Sequence, residues 1–205
     1  MDFPSDIPSP IDLQDEAHAR EWASRATASR PWRIDFFECI ARHLMRAGRT
    51  IRVLELGSGP GFLAERILVN RPDAEMVLFD YSAPMHALAR ERLSPFLDRV
   101  SFVLGNFREE SWADGLSGFD HVVTNQAVHE LRHKRHATRL HAEVRQTLGP
   151  AGTYFVSDHY AGDEGMANGE LYMTVEEQEA SLHAAGFSAV DRLLLFKGMV
   201  LHRAA

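Results

Sequence analysis

The chain predicts an α/β protein built on a doubly wound, mostly parallel sheet. An apolar run, Ile51 to Leu56, carries one acid at Glu55 and breaks into glycines at Gly57, Gly59 and Gly61 before an apolar helical segment, which reads as strand, tight loop, helix. About twenty residues past the glycines a second apolar run, Glu75 to Phe79, ends on Asp80, where nucleotide-binding sheets place a carboxylate for ribose hydroxyls. Further strand-like and helix-like runs alternate along the rest of the chain, the pattern of successive βα units.

The elements follow in order. Residues 1 to 11 are rich in proline and read as extended. Leu13 to Ser29 is a polar helix with Ala17, Trp22 and Ala26 at helical spacing, interrupted by Pro31. Trp32 to Ala47 is a second helix, its apolar stripe Ile34, Phe37, Ile40, Ala41 and Leu44, with Gly48 at the C-cap position. This gives an N-terminal extension and helical cap at 1–48 and a ligand-binding domain at 49–205. Phe62 to Asn70 is a helix, and Arg71-Pro72-Asp73 turns the chain into the strand that ends on Asp80. Ser82 caps a helix running to Leu93, with Pro84 in its first turn. Val100 to Leu104 and Phe119 to Thr124 are strands separated by a loop at 108–118. A helix is expected from about Val128, or a few residues later, to Leu148, stopped by Gly149-Pro150, then a strand from Gly152 to Ser157 leading into Asp158-His159-Tyr160. Thr174 and Glu177 form a capping box for a helix to Ala185. Phe187 to Phe196 and Met199 to Arg203 read as a hairpin around Lys197-Gly198.

Glycine is required where the backbone reaches positive φ or where a ligand approaches closer than a Cβ allows, so a ligand is expected against the loop at 57–61. A dinucleotide fingerprint would need glycine or alanine at the position of Phe62. Here the third glycine falls one residue early, and Glu55 suits a cationic neighbour better than a pyrophosphate. The segment Glu55 to Gly61 resembles the first motif of the class I S-adenosylmethionine-dependent methyltransferases, E/D-x-G-x-G-x-G. The run FDHVV at 119–123 resembles that family's fourth motif, and the terminal hairpin matches its last strands. The resemblance implies a Rossmann-like sheet of seven strands with the last one antiparallel.

It also implies a site. Glu55, Gly57, Ser58, Gly59 and Gly61 would wrap the amino acid end of S-adenosylmethionine, and Asp80 would take the ribose. Tyr81 or Met85 would pack on the adenine, and Asn106, standing where the family commonly has Asp, would accept from the adenine amino group beside Phe107. Asn125 and Gln126 would lie by the reactive methyl. N-terminal helices in such enzymes often fold over the site, which makes Trp22, Trp32, Arg20 and Arg25 candidates for a lid, with Tyr160 in the loop that follows the fifth strand. For each tryptophan taken singly, anchoring its helix to the core is the more ordinary use. His129 and His159 are candidate general bases, since both follow strands that face the methyl and imidazole titrates near neutral pH. The expected turnover is methyl transfer to a small-molecule O, N or C nucleophile, with S-adenosylhomocysteine as product and no metal. The alternatives are a methyltransferase acting on RNA or protein, a nicotinamide-dependent oxidoreductase, and a non-enzymatic cofactor-binding subunit.

Composition narrows the partners. A formal net charge of −7 over 205 residues argues against a general nucleic acid binder, although a local basic patch stays open around Arg132, Lys134, Arg135 and Arg139. The single cysteine, Cys39, permits no internal disulfide and reads as a buried inert thiol of a reducing compartment. The amino end lacks a signal peptide pattern, and no apolar run approaches the roughly 18 residues of a membrane span, so the expected location is the cytoplasm. His129-Glu130-Leu131-Arg132-His133 matches H-E-x-x-H in letters, yet it follows a strand end and lacks a third ligand downstream, so zinc chemistry is not expected.

Overall fold

The structure is a computed structural model and describes residues 5–44 and 48–205. Seven strands form one sheet in the order β3-β2-β1-β4-β5-β7-β6: β1 Ile51–Leu56, β2 Ala74–Asp80, β3 Val100–Leu104, β4 Phe119–Asn125, β5 Leu148–His159, β6 Val190–Phe196 and β7 Met199–Ala204. The first five are parallel, and β7 runs antiparallel to both β5 and β6. Among the described residues six α-helices accompany them: α1 Glu16–Ser29, α2 Arg33–His43, α3 Phe62–Asn70, α4 Ala83–Arg92, α5 Ala137–Thr147 and α6 Val175–Ala184. The strand order reverses between β1 and β4, which opens a crevice at their carboxyl ends.

Strand parity divides the core. Ile51 and Val53 face α2 and α3, in a cluster with Phe36, Ile40, Leu63 and Ile67. Leu54 and Leu56 face the other way, with Leu140 and Val144 of α5 and Leu182 of α6. Glu55 falls on the α2 and α3 face, at a position where the alternation calls for an apolar side chain. The hairpin closes both clusters, since Leu201 joins the first and Ala204 the second.

β1, α3 and β3 begin and end where the residue pattern places them, and the Thr174 capping box is formed as expected, each partner receiving the other's backbone N–H. Three expectations need correction. The helix after Pro31 ends at His43, where the Leu44 backbone turns extended, short of the expected end at Ala47, which lies outside the described residues. The helix expected from Val128 or a few residues later begins only at Ala137, after two short 3-10 turns, Val128–Leu131 and Lys134–His136. Arg132 between them takes a left-handed φ of 65°, held there by long-range bonds to the amino-terminal segment. β5 starts at Leu148, so Gly149-Pro150 lies inside the extended run rather than in a turn.

Candidate active site

The carboxyl ends of β1, β2, β4 and β5 open into a cavity of about 300 Å³. Glu55, Asp80, Asn125 and His159 rise from the strand ends, Arg30, Arg33 and Trp22 come from α1, α2 and their junction, and Leu171 and Tyr172 come from the loop after β5. Residues 6–14 cross the opening as a strap. Pro10, Ile11 and Leu13 line the cavity, and a second space of about 630 Å³ lies between the strap and Tyr81, Asn106 and Phe107.

The glycine loop owes its shape to close approach. Gly57 has φ 63°, and a Cβ there would sit 2.4 Å from the Cβ of Ala127, so no larger residue fits between β1 and β4. At Gly59, φ 52°, a Cβ would meet nothing within 4 Å, leaving the backbone bare beside open space. The Gly59 N–H donates to Asp80 Oδ2 at 2.7 Å and the Ser82 N–H to Asp80 Oδ1 at 2.9 Å. Asp80 and Glu55 are both buried and electrostatically coupled. Burial first, and then the charge of Asp80, push the Glu55 carboxyl well above the usual range, while Arg33 opposes the shift. Burial also raises Asp80 against its backbone donors. Glu55 Oε2, Ser58 Oγ and Asn125 Oδ1 are buried without a hydrogen-bond partner among the described residues. A pair of buried carboxylates with an unpartnered oxygen is a seat for a cation.

Opposite this pair stand the two histidines. His129 Nδ1 lies 2.7 Å from Asp158 Oδ1, and the His129 backbone N–H donates to Asp158 Oδ2 at 2.9 Å. His129 Nε2 is 3.4 Å from Glu130 Oε1. Desolvation works against the imidazolium, but Asp158 and Glu130 outweigh it and raise His129 to about 10. His159 goes the other way: burial lowers it and keeps it neutral. The Gln126 side-chain amide at 2.7 Å donates to His159 Nε2, which leaves the proton on Nδ1, directed at the Gly198 carbonyl. The two rings are 5.8 Å apart, with Tyr172 against both.

Of the residues singled out in the sequence, Glu55, Gly57, Ser58, Asp80, Tyr81, Phe107, Asn125, Gln126, His129, His159 and Trp22 share the cavity wall, and Asn106 lines the adjoining space. Gly61 instead packs toward Leu93 and Ala89, and Met85 is buried on α4 outside either wall. Arg25 and Arg20 pair with Glu21 and Glu16 along α1, Trp32 packs against the core, and Tyr160 is buried with Val175 and Val200. Arg30, Arg33, Asp158, Tyr172 and the strap were not singled out. Asp158 had a signal, a carboxylate at a strand end; the others are brought in by tertiary packing alone. His133 of the zinc-like motif is held by its own turn, its Nδ1 accepting the Arg135 N–H, and among the described residues no three His, Cys, Asp or Glu side chains converge as a metal site.

A family model described as a methyltransferase domain matches residues 48–196, and the chain belongs to that family. That family and the seven-stranded fold place the chain among the class I S-adenosylmethionine-dependent methyltransferase domains. Among curated relatives, the ribosomal RNA large subunit methyltransferase G of Streptomyces avermitilis is 31% identical over 123 residues, 56% of this chain. The chain spans about 30% of the length of that relative. An O-methyltransferase family protein from Burkholderia thailandensis superposes with a TM-score of 0.76 at 17% identity, covering 94% of this chain and 60% of the other. The DhpI–SAH complex gives 0.69 at 19% identity, covering 97% and 98%. These two likenesses show the fold. Among the described residues no helix is long and apolar enough to cross a membrane.

Proposed function

We propose that the chain transfers a methyl group from S-adenosylmethionine to a small-molecule acceptor, with His129 and Asp158 handling the acceptor's proton. The site fits the cofactor by its lining: Glu55 offers an unpartnered buried oxygen to the ammonium, Gly57 and Ser58 bring the loop backbone to the cavity wall, and Asp80 offers a carboxylate for the ribose hydroxyls. When bound, the cofactor supplies an electrophilic methyl on a sulfonium.

The protein's own part is to orient, exclude water and move a proton. The strap and the loop carrying Leu171 and Tyr172 cover the cavity, and an acceptor held between His129 and Asn125 reacts without a covalent intermediate. Asp158 holds the Nδ1 proton of His129, so Nε2 is the atom that takes a proton from an acceptor hydroxyl or amine. Positive charge brought into the cavity opposes the imidazolium and lowers the His129 pKa toward the working range. The observation that carries this reading is the His129–Asp158 contact at the cavity wall. His129→Ala is expected to lower kcat about 100-fold or more while S-adenosylhomocysteine binds within about threefold of wild type. An unchanged kcat across acceptors would remove the proton-handling role.

The curated relatives favour a second reading, an RNA acceptor. Against it, the basic residues near the site are already engaged: Arg132 with Glu130, Lys134 with Glu177, Arg135 with Asp6 and Arg139 with Glu143. Little free positive charge is left there for phosphates. Steep salt dependence of binding to a structured RNA would reverse this preference.

A further inference from the structure

Two opposite charges are buried on the wall of the cavity without touching. Parity places Glu55 on the face of β1 covered by α2 and α3, and Arg33 is the first residue of α2. Both line the cavity. Glu55 is 3% exposed and Arg33 7%, yet Glu55 Oε2 and Arg33 Nε are both without a hydrogen-bond partner among the described residues. The guanidinium is enclosed by rings instead, its central carbon 5.6 Å from the centre of Trp22, 5.4 Å from Phe37 and 5.7 Å from Phe62. Each charge favours the ionised form of the other, so they are near enough to interact but are not an ion pair.

Leaving a polar atom of a buried ionisable group without a partner is costly, and two complementary groups each with such an atom at one cavity suit a ligand that carries both signs. An α-amino acid zwitterion has that pattern at the right scale. We propose that Arg33 receives the α-carboxylate of the cofactor's amino acid end while Glu55 receives its α-ammonium, which makes α2 part of the cofactor site. The aromatic cage holds the guanidinium in place and dry, where a carboxylate gains most from it. Arg33 lies outside the 48–196 segment matched by the family model, so this contact is a property of the chain's own amino-terminal helices. The inference rests on the methyltransferase reading above.

Calorimetry with three nucleosides tests it: S-adenosylmethionine, its decarboxylated form, which keeps the ammonium and sulfonium, and 5′-methylthioadenosine, which lacks the amino acid. Wild type is expected to prefer S-adenosylmethionine over the decarboxylated form by about 10- to 100-fold, the usual scale for a charge-assisted contact. Arg33→Met is expected to bring that ratio within about threefold of unity while methylthioadenosine affinity stays within about twofold. A wild-type ratio near one overturns the proposal without recourse to any variant. So does a ratio that survives in Arg33→Met, which would assign the guanidinium to a carboxylate on the acceptor, or an equal loss for all three ligands, which would make Arg33 merely structural. If wild type binds none of the three, the cofactor reading itself falls, and this proposal with it.

Discussion

His129 shows how one contact sets a residue's chemistry. In the ligand-free enzyme its pKa of about 10 makes it an imidazolium at neutral pH, and kcat/KM, which reports the free enzyme, is expected to rise with pH toward that value. Asp158→Asn removes the charge chiefly responsible, so the rising limb is expected to move down toward the ordinary histidine value near 6.5 while the plateau falls. Superimposable pH profiles for variant and wild type would show that the proton is taken elsewhere. At this scale the glycine loop was the most legible part of the cavity wall, because glycines and an acid in a strand have few other uses. Arg33 was hidden for the opposite reason: a charged residue at the start of an amphipathic helix ordinarily faces water, and only the packing of Trp22, Phe37 and Phe62 around it reveals that it does not.

Among the elements, the strap shows what local sequence conceals. Its Asp6 carboxylate accepts from Arg108 at 2.7 Å, Arg135 at 2.6 Å and His136 at 3.0 Å, and Arg132 donates to the carbonyls of Ile7 and Pro8. The Ser82 hydroxyl donates to the Leu13 carbonyl at the other end. Asp6 and its partners are more than a hundred residues apart in sequence, so no pattern of spacing announces them. The same contacts explain why α5 starts as late as Ala137, since a helix running unbroken through Arg132 could not turn it back toward Ile7 and Pro8. Strands and capped helices, whose signals lie within a few residues, were legible nearly to their ends. Loosening the clamp with Asp6→Asn is expected to raise the dissociation rate of S-adenosylhomocysteine several-fold in stopped-flow measurements while the melting temperature moves little, because the clamp is a partly exposed ion cluster. An unchanged rate would mean that the strap does not gate the nucleoside.

Across the whole molecule, buried histidines tie stability to pH. Burial lowers His86 and His121 to about 4 and His141 to about 3. Each binds a proton in the unfolded chain near 6.5 but resists one in the fold, so stability is fullest above that value and is lost as pH falls from about 6.5 toward 4. His129 acts in the reverse sense, contributing most below 6.5 and losing its contribution as pH rises through about 10. Urea midpoints measured across pH 4 to 8 should therefore fall steeply on the acid side, and His141→Gln should flatten that fall. A midpoint flat from pH 7 to 4 would mean these rings take protons without disturbing the core.

The segment that roofs the cavity and the segment that floors it have separate standing. Strap, α1 and α2 all precede residue 48, where the match to the shared family model begins, while the glycine loop, Asp80 and the His129–Asp158 pair fall inside it. If Arg33 holds the cofactor's carboxylate, a change in the amino-terminal helices would alter both the cover of the cavity and the grip on the nucleoside, while the groups at the strand ends stayed where the sheet puts them.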